Sequence, residues 1–177
     1  MRSTDCGLEV KYAQGAEMVA DGNVIEGYAS LFGVADKGGD VVVRGAYAAR
    51  LKRLADRGER VRMLWQHDPA RPIGIWDEIR EDAKGLWVSG RLLPEVGLAR
   101  EAAALVAAGA IDGLSIGYRT VSAERDAKGR RLLTEVELWE VSLVTFPMLS
   151  EARLGRKSED AALAAVFRAA KEALRGE

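Results

Sequence analysis

The chain has 177 residues, enough for one domain with a real core, and its 48% hydrophobic and 30% charged composition excludes both disorder and a fibrous repeat. With 26 Lys+Arg against 27 Asp+Glu the formal charge is -1, so no overall basic field exists to draw in nucleic acid or an anionic membrane. One cysteine, Cys6, and one histidine, His67, exclude an internal disulfide and a zinc site of the usual nitrogen and sulfur ligands, and no cofactor is expected.

The longest weakly apolar stretch, Ala102 to Ile111, falls far short of the about 20 residues that cross a bilayer. The opening MRSTDCGLEV carries no apolar run of the signal-peptide kind, so a cytoplasmic protein is expected. Residues 1 to 22 are broken by Gly7, Gly15 and Gly22 and predict one short strand near Leu8 to Tyr12 in an otherwise loose stretch. NVIEGYASLF, from Asn23 to Phe32, is rich in β-branched and aromatic residues and predicts a strand, followed by DKGG turn chemistry and a short strand at 41 to 43. Tyr47, Leu51 and Leu54 then recur at helical spacing and predict an amphipathic helix ended by Gly58.

Three strands are expected near 61 to 66, 73 to 80 and 86 to 93, with DPARP and EDAKG as the turns between them. Leu98, Ala102 and Leu105 mark one stripe of a second helix over 95 to 108, stopped by Gly109. Two longer strands, about 113 to 123 and 131 to 145, are joined by DAKGR as a hairpin. Beyond Pro147 the strand pattern stops, and Leu163, Val166, Phe167, Ala170 and Leu174 predict a third helix over Ser158 to Leu174. The fold class is mostly β with covering helices (α+β), a mostly antiparallel sheet or barrel, with residues 1–155 as the main domain and 156–177 as a C-terminal amphipathic helix or tail.

A serine is a weak nucleophile until a base stands within hydrogen-bonding reach and a third group orients that base. The only imidazole is His67, in LWQHDPARPIG, at a strand end where loops build sites. Ser115, in DGLSIGY, is flanked at two residues' distance by Gly113 and Gly117, so the face that carries it is left open while Leu114, Ile116 and Tyr118 face a core. If the hairpin reverses between Ala127 and Lys128, Glu140 lies directly opposite Ser115, with Leu138 and Ser142 as its same-face neighbours. A small register offset would leave better room for an imidazole between them, and a one-residue slip would bring Glu137 or Glu135 to that face instead. Glu140 sits in the apolar run LWEVSLVTF, where a carboxylate needs a partner such as His67.

GYASLFGVADKGGDVVVRGAYAARL, MLWQHDPARPIGIW, GLSIGYR and LWEVSLVTFPMLSEA stand in this order over residues 23 to 155, and together they resemble the prohead, or head maturation, proteases of tailed phages. These look distantly related to the herpesvirus assemblins, so the resemblance implies a closed antiparallel β-barrel of about six or seven strands surrounded by helices. It further implies His67 as general base, Ser115 as nucleophile and Glu140 as third member, an acid standing where the assemblins use a second histidine. The assemblins' arginine-bearing loop would correspond to FPMLSEARLGR, from which no arginine carries over.

The implied function is a serine endopeptidase that processes scaffold or major capsid protein, and itself, inside the procapsid in the host cytoplasm. The implied partners are that protein substrate and copies of the chain itself, as a homodimer or larger assembly, with neither nucleic acid nor membrane. The alternatives are a non-catalytic capsid-assembly or scaffold module of the same fold and a small-molecule serine esterase with a deep apolar pocket. Asp40 in GGDVVVRGAY is explained by turn and strand-start structure, and Cys6 lies outside the resemblance.

Overall fold

The computed structural model describes residues 9–12, 18–36 and 38–145. The helix expected over Ser158 to Leu174, the FPMLSEARLGR stretch and Cys6 lie outside the described residues. The described residues form nine strands and two helices: β1 (Glu9–Tyr12), β2 (Met18–Asp21), β3 (Val24–Leu31), β4 (Asp40–Val42), α1 (Ala48–Arg57), β5 (Arg62–Trp65), β6 (Asp68–Glu81), β7 (Gly85–Leu92), α2 (Gly97–Ala107), β8 (Gly113–Arg125) and β9 (Arg131–Val144). The strands make one sheet in the order β1-β8-β9-β5-β6-β7-β3-β2, with β4 attached to β9.

The barrel implied by the resemblance is not closed among the described residues, because β1 and β2 remain as two free edges. The sheet curls into an open half-barrel in which β3 approaches β8, and its concave side holds Ile25, Met63, Trp76, Leu86, Ile116 and Leu138, all nearly or fully buried. Nor is it wholly antiparallel, since β4 and β5 both run parallel to β9. Both parallel partners arrive from elements that leave the sheet first: β4 after a turn, β5 after α1.

α1 forms where the apolar spacing predicts it, with Leu54 buried, and Gly58 ends it in the left-handed region at φ 64, its amide closing on Ala55 and Leu54 carbonyls. α2 buries Ala99, Ala102 and Val106, while Leu105 is exposed, so the buried stripe is one position round from the one read off the sequence. β2 falls in the stretch expected to be loose; it is a four-residue edge strand paired with β3 through Asp21↔Val24. DPARP is not a turn: it opens β6, whose pairing with β5 is shifted twice, between Met63, Leu64 and Trp65. An edge-like, bulged start of this kind is where a strand tolerates proline.

Candidate active site

The β5–β6 connection is two residues long, with Trp65 paired to Asp68 and Gln66 and His67 as the turn itself. Both turn residues are left-handed, at φ 53 and 61. A two-residue hairpin of this hand normally uses Asn-Gly, and a residue with a side chain held there costs about 1–3 kcal/mol. The surroundings hold it in place: Gln66 N–H donates to the Leu143 carbonyl at 3.0 Å, and His67 N–H donates to Ser142 Oγ at 3.1 Å. The turn lifts the imidazole over the C-terminal half of β9, because β5 and β9 are parallel neighbours with Leu64 beside Ser142.

Ser115 and Glu140 are brought together by a different register from the one expected. Near the hairpin loop Arg125 pairs with Arg131, one residue off the expected reversal, and that offset alone would have turned Glu140 away. A bulge at Trp139 adds the second residue: Tyr118 pairs with Leu138, but Gly117 pairs with Glu140 and Ser115 with Ser142. Glu140 is therefore diagonal to Ser115, not opposite it, and Leu138 is turned to the core with Tyr118, away from Glu140's face. The diagonal leaves a gap of one imidazole width.

That gap is filled by His67. Its Nε2 lies 2.7 Å from Ser115 Oγ and its Nδ1 2.5 Å from Glu140 Oε1. A carboxylate can only accept, so the network assigns the ring proton to Nδ1 and leaves Nε2 as the acceptor for the serine hydroxyl. Ser142 completes the arrangement, donating from Oγ to Glu140 Oε2 at 2.5 Å while accepting from the His67 amide. A carboxylate 5% exposed is thus held by two donors, which offsets the cost of burying it. Ser142's part in this was not legible in the sequence beyond its position two residues from Glu140.

The competing acids face the other way. Glu137 is bonded to Arg50 at 2.9 Å and Arg53 at 2.5 Å, both on α1, and Glu135 lies 3.5 Å from Arg53. Gly117 is explained by the same geometry: a Cβ there would lie 2.8 Å from Glu140 Cδ and 2.9 Å from Cγ, and closer still to Oε1. The open space beside Ser115 inferred from the glycine is therefore the seat of Glu140's carboxylate.

Ser115 is fully buried, because β1 runs along β8 with Tyr12 opposite Ser115 and Lys11 opposite Ile116. The Lys11 carbonyl oxygen is 3.2 Å from Ser115 Oγ. β1 is clasped at its start by Glu9, which accepts from Arg131 at 2.8 Å and from Thr120 Oγ1 at 2.5 Å. Arg131 also reaches Asp40 at 3.0 Å, so Asp40 serves the strand start and the clasp. Among the described residues no group of His, Cys, Asp and Glu is arranged to hold a metal ion, and no helix is long and apolar enough to cross a membrane.

Residues 9–164 match the model of the Caudovirus prohead serine protease family. The chain is 33% identical over 132 residues to the prohead protease of Enterobacteria phage HK97, a match covering 73% of this chain and 57% of that protein, so it spans little more than half of that relative's length. Its fold is similar to that of the bacteriophage T4 capsid assembly protease, with a TM-score of 0.64 at 17% identity over 79% of this chain and 98% of the other. With a family match extending over most of its residues, the chain belongs to the Caudovirus prohead serine protease family.

Proposed function

We propose that the protein is a serine endopeptidase of procapsid maturation, with Ser115 as nucleophile, His67 as general base and Glu140 as the group that orients and balances the imidazole. The observation that carries this reading is the unbroken relay from Ser115 Oγ through His67 Nε2 and Nδ1 to Glu140 Oε1, at 2.7 and 2.5 Å. His67 Nε2 takes the hydroxyl proton as Ser115 Oγ bonds to the carbonyl carbon of the scissile peptide. The protonated imidazole is stabilised by Glu140 and returns that proton to the leaving amine as the C–N bond breaks. Water, deprotonated by the same nitrogen, then hydrolyses the acyl-enzyme and frees Ser115.

The substrate class is an extended polypeptide. A strand already lies antiparallel along β8 beside Ser115, which is the way an extended peptide adds to a sheet edge, and this favours a peptide over a small ester. By family, the polypeptide is scaffold or major capsid protein, the workplace is the interior of the procapsid, and the chain itself is a further substrate. The completed relay also favours an enzyme over a non-catalytic assembly module. Homodimers or larger assemblies of the chain remain part of the proposal.

The test is labelling by a small fluorophosphonate, followed by peptide mapping. Modification of Ser115 in the wild type, and its loss in His67→Ala with Ser115 still present, is the expected pattern. Equal labelling with and without His67, or labelling confined to another serine, would contradict the assignment.

A further inference from the structure

A cleft of about 470 Å³ opens beside the catalytic acid, lined by Arg50, Gly58, Glu59, Arg60, Arg62 and Trp139, a size in the range of small-ligand sites. Arg62 is the strand partner of Glu140 across β5 and β9. Arg119 alternates onto the same face of β8 as Ser115, and its guanidinium lies 5.9 Å from the Trp139 ring centroid, so the indole shares that face. β8, β9 and β5 are successive strands, which puts the cleft two strand spacings, about 10 Å, across the sheet from the strand that carries Ser115.

The charges of this cleft are not all committed. Arg50 bonds to Glu137 at 2.9 Å, and its Nε donates to the Leu138 carbonyl at 3.0 Å. Glu59 lies between Arg50 and Arg57, at 3.8 and 3.9 Å. Arg60 and Arg62 take part in no ion pair among the described residues, so two of the lining residues bring a cation that no protein carboxylate answers. Trp139 is 44% exposed, whereas Trp76 is 3% exposed. The bulge at Trp139 that returns Glu140 to His67 needs an extra residue there, but nothing in the bulge calls for an indole. An exposed indole bordered by uncommitted arginines has the composition of a protein-binding hot spot, in which Trp and Arg are enriched.

We propose that this cleft binds an acidic segment of the polypeptide on which the enzyme acts, with carboxylates pairing to Arg60 and Arg62 and an apolar side chain between them lying on Trp139. The occupant rests on the reading of the substrate as a polypeptide. A carboxylate accepts two parallel N–H bonds from a guanidinium, which gives direction as well as charge. A nucleic-acid strand fits less well: its backbone calls for a run of cations, and here two arginines share their cleft with Glu59 on a chain of net charge -1. The cleft lies on the β5 side of β9, away from the outer edge of β8, so a segment docked there does not compete for that edge. It holds the rest of the same chain near Ser115 and raises its local concentration.

The experiment uses the full chain carrying Ser115→Ala, so that nothing is cut, and two fluorescein-labelled pentapeptides, one with a leucine between two pairs of glutamates and one with glutamines in their place. Fluorescence anisotropy reads binding. The glutamate peptide is expected to bind about tenfold more tightly or better and to weaken with added salt. It is expected to lose about fivefold or more in each of Arg60→Gln, Arg62→Gln and Trp139→Ala, with thermal melts unchanged because all three side chains are exposed. Equal binding of the two peptides, no binding of either at about 1 mM, or glutamate binding that survives both arginine changes would overturn the proposal. A single-stranded oligonucleotide of the same charge that bound more tightly than the glutamate peptide would overturn it in favour of phosphate recognition. Because binding is read without the Ser115 hydroxyl, failure of fluorophosphonate labelling in the wild type would remove the nucleophile and leave the cleft's preference for acid standing.

Discussion

Replacing Gly117 by alanine tests the geometry of the acid directly. Gly117 lies in β8 and has no positive φ, so its backbone suits any residue. In an ordinary strand the change would be neutral or would stabilise by about 0.5–1 kcal/mol through lost unfolded-state freedom. Here the three heavy atoms nearest to the new Cβ all belong to the Glu140 side chain, two of them at 2.8 and 2.9 Å. Overpacking of this kind costs about 1–3 kcal/mol, and the carboxylate can move away only by giving up His67 Nδ1 or Ser142 Oγ. Gly117→Ala should therefore destabilise the chain by about 1–3 kcal/mol and reduce turnover by about a hundredfold or more, as loss of the orienting acid does elsewhere. In a Glu140→Ala background the obstructing atoms are gone, and the same change should be neutral or stabilising. The assay is a double-mutant cycle by urea unfolding, run in chains carrying Ser115→Ala so that no self-cleavage intrudes, with a coupling energy of about 2 kcal/mol expected between the two positions. A penalty that persists after Glu140→Ala would refute the contact, and so would the absence of any penalty in the parent.

Glu140→Gln should lower turnover by about a hundredfold to ten-thousandfold with folding kept, because the amide oxygen can still face Nδ1 while the charge is lost; Glu137→Gln, which only loosens an ion pair with α1, should change turnover by less than about twofold, and an exchange of these two kinetic results would assign the acid to the wrong residue. Ser142→Ala leaves the His67 amide and one Glu140 oxygen short of a partner, for a loss of about 1–3 kcal/mol in urea unfolding, with kcat falling more than KM rises; unchanged kinetics would deny Ser142 its positioning role. Burial pushes Glu9 up, but the bonds from Arg131 and Thr120 outweigh it and hold the carboxyl below its ordinary value. The contribution of Glu9 to docking β1 is therefore fully present above the unfolded glutamate value of about 4.3 and is lost as pH falls through the lower folded value. Asp40, which burial raises, protonates at higher pH and weakens its own bond to Arg131, while the Glu9 bonds to Arg131 and Thr120 persist. Amide exchange in β1 should accordingly stay slow until Glu9 protonates, and exchange that accelerates already with Asp40 would contradict this.

What was legible in the sequence followed from local pattern and scarcity. A single histidine leaves one candidate for the base without any structural knowledge, and the alternation around Ser115 in GLSIGY displays a core face and a polar face in six letters. The register was legible only in form. The hairpin loop and the bulge at Trp139 each shift the pairing by one, so Glu140 returns to the correct face for a reason that strand alternation in LWEVSL does not reveal. DPARP reads as a turn by its prolines, whereas the turn is made by Gln66 and His67, whose left-handed backbones are imposed by contacts to β9 some 75 residues later. β1's role was invisible for the same reason: pairing of Tyr12 with Ser115 leaves no trace in either segment alone. Closure failed where the reading rested on resemblance, since the described strands end in two free edges.

The central claim is that Ser115, driven by His67 and Glu140, cuts polypeptide. The most direct measurement is intact-mass spectrometry of the wild-type chain and of Ser115→Ala, each incubated alone and with the shell protein it is proposed to process. The account predicts discrete fragments with the wild type and none with Ser115→Ala. Identical fragments from both chains would contradict it.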